Sequence, residues 1–102
     1  MKKTKHITLD EVLKEQLKDP EFRFYFERAR AIRNIAELVL KARKKAKLTQ
    51  SQLAKKAQTT QAVIARLESG NDRRTPSLEL LKRIARALNA RLQVSFDFDR
   101  AA

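Results

Sequence analysis

Cations dominate the side chains that could take part in binding chemistry. The 102-residue chain has 24 Lys and Arg against 12 Asp and Glu, which gives a formal net charge of +12 at pH 7. Eight basic and six acidic side chains lie in residues 1–30, so most of the excess positive charge lies in residues 31–102. A basic domain attracts polyanions because binding releases their counterions. The charge therefore favours a nucleic-acid partner, with a merely solvated cationic surface as the alternative.

Residue types that support catalysis or metal binding are scarce. The chain has no cysteine, one histidine (His6) and one glycine, which leaves no thiolate ligand, no histidine cluster and no glycine-rich phosphate loop. Asp10, Glu11 and Glu15 are better explained by helix capping and a solvated helix face than by acid–base catalysis. We therefore predict no enzymatic activity, no metal site and no cofactor.

Capping signals and apolar spacing divide most of the chain into helices. Thr8 and Glu11 have the spacing of a capping box, and Asp19-Pro20 places an N-cap before a proline at the first helical position. The apolar spacing after Pro20 predicts either one long helix or two helices that break near residues 30–33. The other predicted N-caps are Thr49 and Thr60, a further helix is predicted to begin at Pro76-Ser77, and the predicted left-handed stops are Gly70 and Asn89.

The C-terminal segment has a different period. Leu92, Val94, Phe96 and Phe98 alternate with polar residues, which predicts a half-buried β-strand. A lone strand leaves its backbone donors and acceptors unpaired. The simplest partner is the same strand of a second copy, which would make the protein a homodimer, and a strand of another protein is the alternative.

Two short predicted helices, over residues 50–57 and 61–69, are separated by three residues. Helices this short are marginal in isolation, so each must pack on its neighbours. The arrangement is that of a helix-turn-helix, whose second helix enters the major groove of DNA. The predicted inward-facing residues are Leu53, Ala54, Ala57, Ile64 and Leu67, with Leu48 and Ile84 completing the core.

Residues 38–88 resemble the phage-repressor and Cro-like (XRE) helix-turn-helix family. The match is carried by Arg43, Leu48-Thr49-Gln50, Leu53-Ala54, Thr60-Gln61, Ile64, Arg66-Leu67-Glu68 and Gly70, then by Pro76-Ser77-Leu78, Leu81, Ile84-Ala85 and Ala87-Leu88. Lys47 and Gln58 stand where this family usually has glycine. The resemblance implies an all-α, phage-repressor-like bundle of five to six helices, to which the single C-terminal strand is added.

The resemblance also implies which residues meet DNA. Gln61 matches a position that reads adenine, Arg66 suits guanine, and Val63 suits a thymine methyl group, with Ala62 on the same face. The alternative is that Val63 belongs to the core and Arg66 is a solvated charge. The implied phosphate contacts are Gln50, Thr60, Arg73 and Arg74. Gln50 is also expected to buttress Gln61, and Arg43 and Glu68 match a family pair that forms a largely buried ion pair.

The N-terminal segment carries four of the six aromatic residues, namely Phe22, Phe24, Tyr25 and Phe26. On a helix Phe22 and Phe26 share a face and Phe24 points away from it, which predicts either an exposed partner-binding patch or a thicker core. Asp19-Pro20-Glu21-Phe22-Arg23 and Arg91-Leu92-Gln93-Val94 resemble the flanks of HigA-type antitoxins of type II toxin–antitoxin pairs. This resemblance implies a partner toxin similar to the RelE/HigB ribosome-dependent mRNA endonucleases, and a HipA-like kinase is the less favoured partner.

Together these patterns predict a helical, toxin-binding arm over residues 1–30, a DNA-binding domain over 31–89, and a dimerising strand and tail over 90–102. The predicted function is that of a cytoplasmic antitoxin that also represses its own operon by binding double-stranded operator DNA. A stand-alone repressor without a toxin is the main alternative. Non-specific nucleic-acid binding and membrane-surface binding through residues 41–47 are further alternatives, and the apolar runs are too short to span a bilayer.

Overall fold

The computed structural model describes residues 7–98, and this part of the chain folds into five α-helices. They are α1 (Leu9–Gln16), α2 (Pro20–Lys45), α3 (Gln50–Lys56), α4 (Gln61–Ser69) and α5 (Leu78–Ala87). The ends of the predicted arm and tail, residues 1–6 with His6 and residues 99–102, lie outside the described residues. The predicted helical bundle is confirmed for the part of the chain described.

Each helix begins at a residue whose side-chain oxygen accepts a hydrogen bond from a backbone N–H of the first turn. This bond satisfies a donor that has no partner within the helix. In α3 the arrangement is reciprocal, because the Gln52 side chain also accepts a hydrogen bond from the backbone N–H of Thr49 at 2.8 Å. The four predicted N-caps, Thr8, Asp19, Thr49 and Thr60, are confirmed. The helix predicted to begin at Pro76-Ser77 has Ser77 as its N-cap.

Helix α2 is a single helix of 26 residues, which at 1.5 Å per residue is about 39 Å long. It continues without a break across residue 30, from the predicted arm into the predicted DNA-binding domain. Its buried residues, Ile32, Ala36 and Val39, lie between its middle and its C-terminal end. The described chain is accordingly elongated, at 63 × 32 × 22 Å. None of the helices in residues 7–98 combines the length and apolarity that a membrane crossing requires.

One apolar core joins the last four helices. Helix α4 packs against both α2 and α3, and α5 packs against α3. Leu53 and Ile64 are fully buried at its centre, and burial of a side chain of this size stabilises the fold by about 1.5–3 kcal/mol. The predicted inward face of α3 and α4 is thus confirmed. The core residues are Val39, Leu53, Ala54, Ala57, Ile64, Leu67 and Ile84, with Leu48 partly buried beside them.

The turns on either side of α3 keep a left-handed geometry without glycine. Lys47 has φ 60° and Gln58 has φ 58°, a conformation that costs a side-chain-bearing residue roughly 1–2 kcal/mol. Both turns are closed by a backbone hydrogen bond across five residues, as in a Schellman motif. Leu48 N–H donates to Arg43 O at 3.2 Å, and Thr59 N–H donates to Ala54 O at 2.9 Å. The two residues that replace the family's glycines therefore adopt the left-handed geometry themselves, at the cost of local strain.

The strand predicted over Leu92–Phe98 is not found in the described chain, where residues 91–98 form neither helix nor strand. A strand requires a ladder partner, and within residues 7–98 no extended segment supplies one. Leu92 is half-buried and lines a cleft of about 220 Å³ between α2 and α5. The exposed fractions of Val94, Phe96 and Phe98 are 69%, 87% and 85%.

Candidate nucleic-acid interface

Helix α4 has one face in the core and one face in solvent. Thr60 begins it and Gly70, with φ 72°, ends it. Ile64 and Leu67 are buried, whereas Gln61, Ala62 and Arg66 are exposed and Val63 is half-buried. The four side chains predicted to read bases therefore lie on the part of α4 that is not buried in the core. A helix of this diameter fits the major groove of B-DNA.

The exposed face of α4 is fixed in position by an ion pair behind it. Arg43 Nε donates to Glu68 Oε2 at 2.7 Å and Arg43 Nη2 donates to Glu68 Oε1 at 2.9 Å. Arg43 Nη1 also donates to the backbone carbonyl of Leu48 at 2.8 Å. The exposed fractions of the two side chains are only 12% and 4%. This bidentate pair connects α2 to α4 and also holds the turn that precedes α3.

Burial and hydrogen bonding act in opposite directions on this pair. Burial alone would raise the pKa of Glu68, but the hydrogen bonds donated by Arg43 and Gln50, with the nearby positive charges, outweigh it and lower the pKa below its ordinary value. The hydrogen bond to Glu68 likewise raises the pKa of Arg43. Glu68 is therefore a carboxylate at neutral pH and has only acceptor atoms.

A carboxamide relay, consisting of Glu68, Gln50 and Gln61, runs from this carboxylate to the solvent. Gln50 Nε2 donates to Glu68 Oε1 at 3.0 Å, and Gln61 Nε2 donates to Gln50 Oε1 at 3.0 Å. The direction of the relay follows from its first member. Because Glu68 can only accept, Gln50 must turn its NH₂ group inward and its oxygen towards Gln61, which must then donate in turn.

The relay determines what Gln61 presents to a ligand. One of its two amide hydrogens is used by Gln50, so the side chain offers a carbonyl oxygen as acceptor and one N–H as donor. The major-groove edge of adenine has the complementary pair, the N6 donor and the N7 acceptor. The predicted buttressing of Gln61 by Gln50 is present as a direct hydrogen bond, whereas the link from Gln50 to Glu68 was not anticipated from the sequence.

The residues predicted to contact phosphate differ in their exposure and in the hydrogen bonds that they already make within the protein. Arg73 and Arg74 are exposed on the loop after α4. Arg74 and the base-reading candidate Arg66 line one cleft of about 230 Å³, so the loop lies beside the exposed face of α4. The Thr60 hydroxyl accepts a hydrogen bond from Val63 N–H at 3.2 Å. Gln50 has both ends of its amide engaged in the relay, which leaves one amide hydrogen for a phosphate.

The cations at this surface are not neutralised by the protein. Among the described residues the ion pairs are Lys18–Glu15, Lys41–Glu37 and Arg43–Glu68, and none of them includes a basic residue of the exposed α4 face or the following loop. The nearby Lys55 and Lys56 on α3 are also exposed. The surface can therefore attract a polyanion without first breaking an internal pair.

A second surface lies at the N-terminal end of α2. The rings of Phe24 and Tyr25 meet edge to face with centroids 5.3 Å apart, and the exposed fractions of the two residues are 61% and 58%. Phe22 and Phe26 stack at 6.1 Å and are half-buried. The four predicted partner-binding residues therefore divide into a half-buried pair and an exposed pair.

Comparison with known proteins gives one result. Residues 39–94 match the Helix-turn-helix family, a span that is more than half of the 102-residue chain and contains the whole relay and the loop after α4. No match was found among curated proteins or among solved structures.

We expect the stabilising effect of Glu68 to depend on pH. A carboxyl group whose pKa is lowered by folding stabilises the protein above its unfolded pKa, and this contribution is lost as the pH falls through the folded pKa. At pH 7 we expect Glu68→Gln to lower the free energy of unfolding by about 3 kcal/mol, because Arg43 is left buried without its counterion. Protonated Glu68 and Gln are nearly isosteric, so the wild type and the variant should converge in acid.

Urea unfolding of both proteins between pH 7 and pH 3 measures this difference. Glu15→Gln is the matched control, because Glu15 forms an ion pair with Lys18 in which both side chains are more than two-thirds exposed, and such pairs contribute little. A difference between wild type and Glu68→Gln that stays constant with pH would contradict the prediction.

Proposed function

We propose, from the premise that this chain belongs to the helix-turn-helix family of the XRE type, that it regulates transcription by binding a specific DNA sequence with α4 in the major groove. The observation that carries the proposal furthest is the relay that ends at Gln61. A solvated polar surface has no need of a fixed amide orientation, whereas base reading depends on one.

In this proposal Gln61 reads adenine through its free carbonyl oxygen and its remaining N–H. Arg66, one turn further along α4 and exposed, is placed to donate to guanine O6 and N7. Val63 and Ala62 offer apolar contact to thymine methyl groups. Contacts from Thr60, Gln50, Arg73 and Arg74 to phosphate oxygens fix the register of the helix without reading sequence.

We expect Gln61→Ala to weaken specific binding while leaving non-specific binding unchanged. Loss of one bidentate base contact costs about 1–3 kcal/mol, which corresponds to roughly 5- to 150-fold in the dissociation constant. Fluorescence anisotropy measures this effect with a duplex selected by the wild-type protein from a random library, against a shuffled duplex, at several salt concentrations.

Gln16→Ala is the matched control, since Gln16 is an exposed helical glutamine at the end of α1. It should bind both duplexes as the wild type does. Equal wild-type affinity for the selected and shuffled duplexes would show a non-specific polycation and overturn the proposal. Specific binding to a duplex from upstream of the protein's own gene would add autoregulation to it.

We further propose that the protein is a homodimer joined through the segment 92–98. Its backbone groups have no ladder partner within the described chain, and Val94, Phe96 and Phe98 expose most of their apolar surface. Pairing of this segment with its copy would satisfy the backbone groups and cover the side chains together. Such a dimer would present its two α4 helices to half-sites about 34 Å apart.

Sedimentation equilibrium at micromolar concentration tests the dimer. We expect the wild type to be dimeric and the double variant Phe96→Ser/Phe98→Ser to be monomeric, because the variant removes the apolar surface that pairing would cover. Leu78→Ser removes an exposed apolar side chain elsewhere, on α5, and should remain dimeric. A monomeric wild type would refute this part of the proposal.

We also propose that the protein is an antitoxin that neutralises a RelE/HigB-like mRNA endonuclease. Two features support this role. The segment Asp19–Arg23 and the C-terminal segment resemble the flanks of HigA-type antitoxins, and α2 presents an exposed aromatic pair, Phe24 and Tyr25. Exposed adjoining aromatics are typical of protein interfaces.

The antitoxin role is tested in a translation extract. A protein that copurifies with the tagged chain from its native host should cleave ribosome-bound mRNA, and the wild-type chain should suppress that cleavage. The double variant Phe24→Ser/Tyr25→Ser should need at least a tenfold higher concentration to suppress the cleavage. Aromatic hot-spot residues contribute roughly 2 kcal/mol or more to binding. The control Leu78→Ser should act as wild type. Absence of a cleaving partner would leave the stand-alone regulator as the function.

A further inference from the structure

One hydrogen bond connects the N-terminal half of α2 to the loop that follows α4. Arg28 Nη2 donates to the backbone carbonyl of Arg73 at 2.7 Å, across 45 positions of sequence. Arg28 lies on the segment outside the matched residues 39–94, and nothing in its sequence context marks it among the basic residues of α2. Arg73 carries one of the two side chains predicted to contact phosphate.

The other side-chain hydrogen bonds described for this loop are local. Ser69 Oγ accepts from Asn71 N–H at 3.2 Å, and Asp72 Oδ1 accepts from Arg74 N–H at 3.1 Å. These bonds shape the loop but do not attach it to another helix. Gly70, where the loop leaves α4, lies close to Arg33 and Ala36 of α2. Among the described side-chain hydrogen bonds, the one from Arg28 is what attaches the loop to α2 further along, at Arg73.

Beyond Gly70, packing does not take the place of this bond. A cleft of about 330 Å³ separates α2 from the loop and is lined on the loop side by residues 70–73. On the helix side Tyr25, Ala29 and Ile32 line the same cleft with Arg28. The loop therefore bridges an open space next to α2, and the guanidinium reaches across it to the carbonyl.

We propose that Arg28 is a positioning residue for DNA binding, which holds the Arg73–Arg74 loop so that both side chains meet phosphates flanking the bases read by α4. The inference rests on the proposed function and extends the DNA-binding unit into the N-terminal segment. Arg28 donates to a main-chain atom, so it acts on the loop whatever side chains the loop carries.

A double-mutant cycle tests this role. Arg28→Met removes the donor and keeps the apolar stem, while Arg73→Ala/Arg74→Ala removes the two phosphate contacts and keeps the carbonyl that Arg28 binds. Arg30→Met is the matched control, because Arg30 is also exposed on α2 but is displaced by about 200° around the helix axis. All variants are titrated with the duplex selected by the wild type and with its shuffled counterpart, from low to moderate salt.

We expect Arg28→Met to weaken binding to the selected duplex by about tenfold and to reduce the slope of log K against log salt by about 1–2, since up to two phosphate contacts made by the loop are lost. In the Arg73→Ala/Arg74→Ala background Arg28→Met should change affinity less than twofold. Arg30→Met should change affinity less than threefold, and equally in both backgrounds. Thermal unfolding of Arg28→Met should coincide with that of the wild type.

Two results would overturn the inference. If Arg28→Met and Arg30→Met behave alike, Arg28 contributes only general charge. If the effects of Arg28→Met and of the loop variant add in the cycle, Arg28 acts on DNA directly and not through the loop. A wild-type protein that does not distinguish the selected from the shuffled duplex would instead refute the proposed function, so the two failures are separable.

Discussion

The Glu68 carboxylate, with only 4% of its side chain exposed, needs a countercharge and hydrogen-bond donors. The arrangement of the DNA-binding unit follows from the residues that supply them. A buried charge left alone would cost several kcal/mol. Arg43 supplies the countercharge from α2 and donates a further N–H, from Nη1, to the carbonyl of Leu48, so the ion pair also holds the turn before α3. Gln50 supplies a further donor from α3. Helices α2, α3 and α4 thus meet at the Glu68 carboxylate, which can only accept hydrogen bonds. The orientation of the Gln61 amide follows from this, because Gln50 connects the two side chains.

The short turns before and after α3 contain strained backbone, and this strain accompanies the contact of the three helices at Glu68. Lys47 and Gln58 adopt positive φ angles that glycine would adopt without cost. The closing hydrogen bonds, the Thr49 and Thr60 caps and the fully buried Leu53 and Ile64 together hold both residues there. Local strain at two exposed positions is offset by burial at two central ones, and α3 packs against α4.

Sequence reasoning located the helices and the core because capping and apolar spacing are local signals. Thr49, Thr60 and Gly70 each act within one helical turn, and Leu53, Ile64 and Ile84 follow helical periodicity. The sequence pattern does not assign Ile32 to the buried face of α2, because Ile32 lies in a stretch rich in charge. The bond from Arg28 to Arg73 spans 45 residues and has no periodic or compositional trace. The alternation in Leu92–Phe98 predicted a half-buried strand, but a strand also needs a neighbouring strand, which residues 7–98 do not provide.

The direction of the relay restricts how this protein could acquire a new binding site on DNA. Arg66 and Ala62 are exposed and bonded to nothing in the interior through their side chains among the described contacts, so their replacement changes only what the groove meets. Gln61 is the outer end of a chain of hydrogen bonds that begins at Glu68. A replacement whose side chain can only accept hydrogen bonds would place a second acceptor against the oxygen of Gln50. Under the proposed function, a change of sequence preference is therefore easier at Ala62 and Arg66 than at Gln61, whose orientation is fixed by the relay.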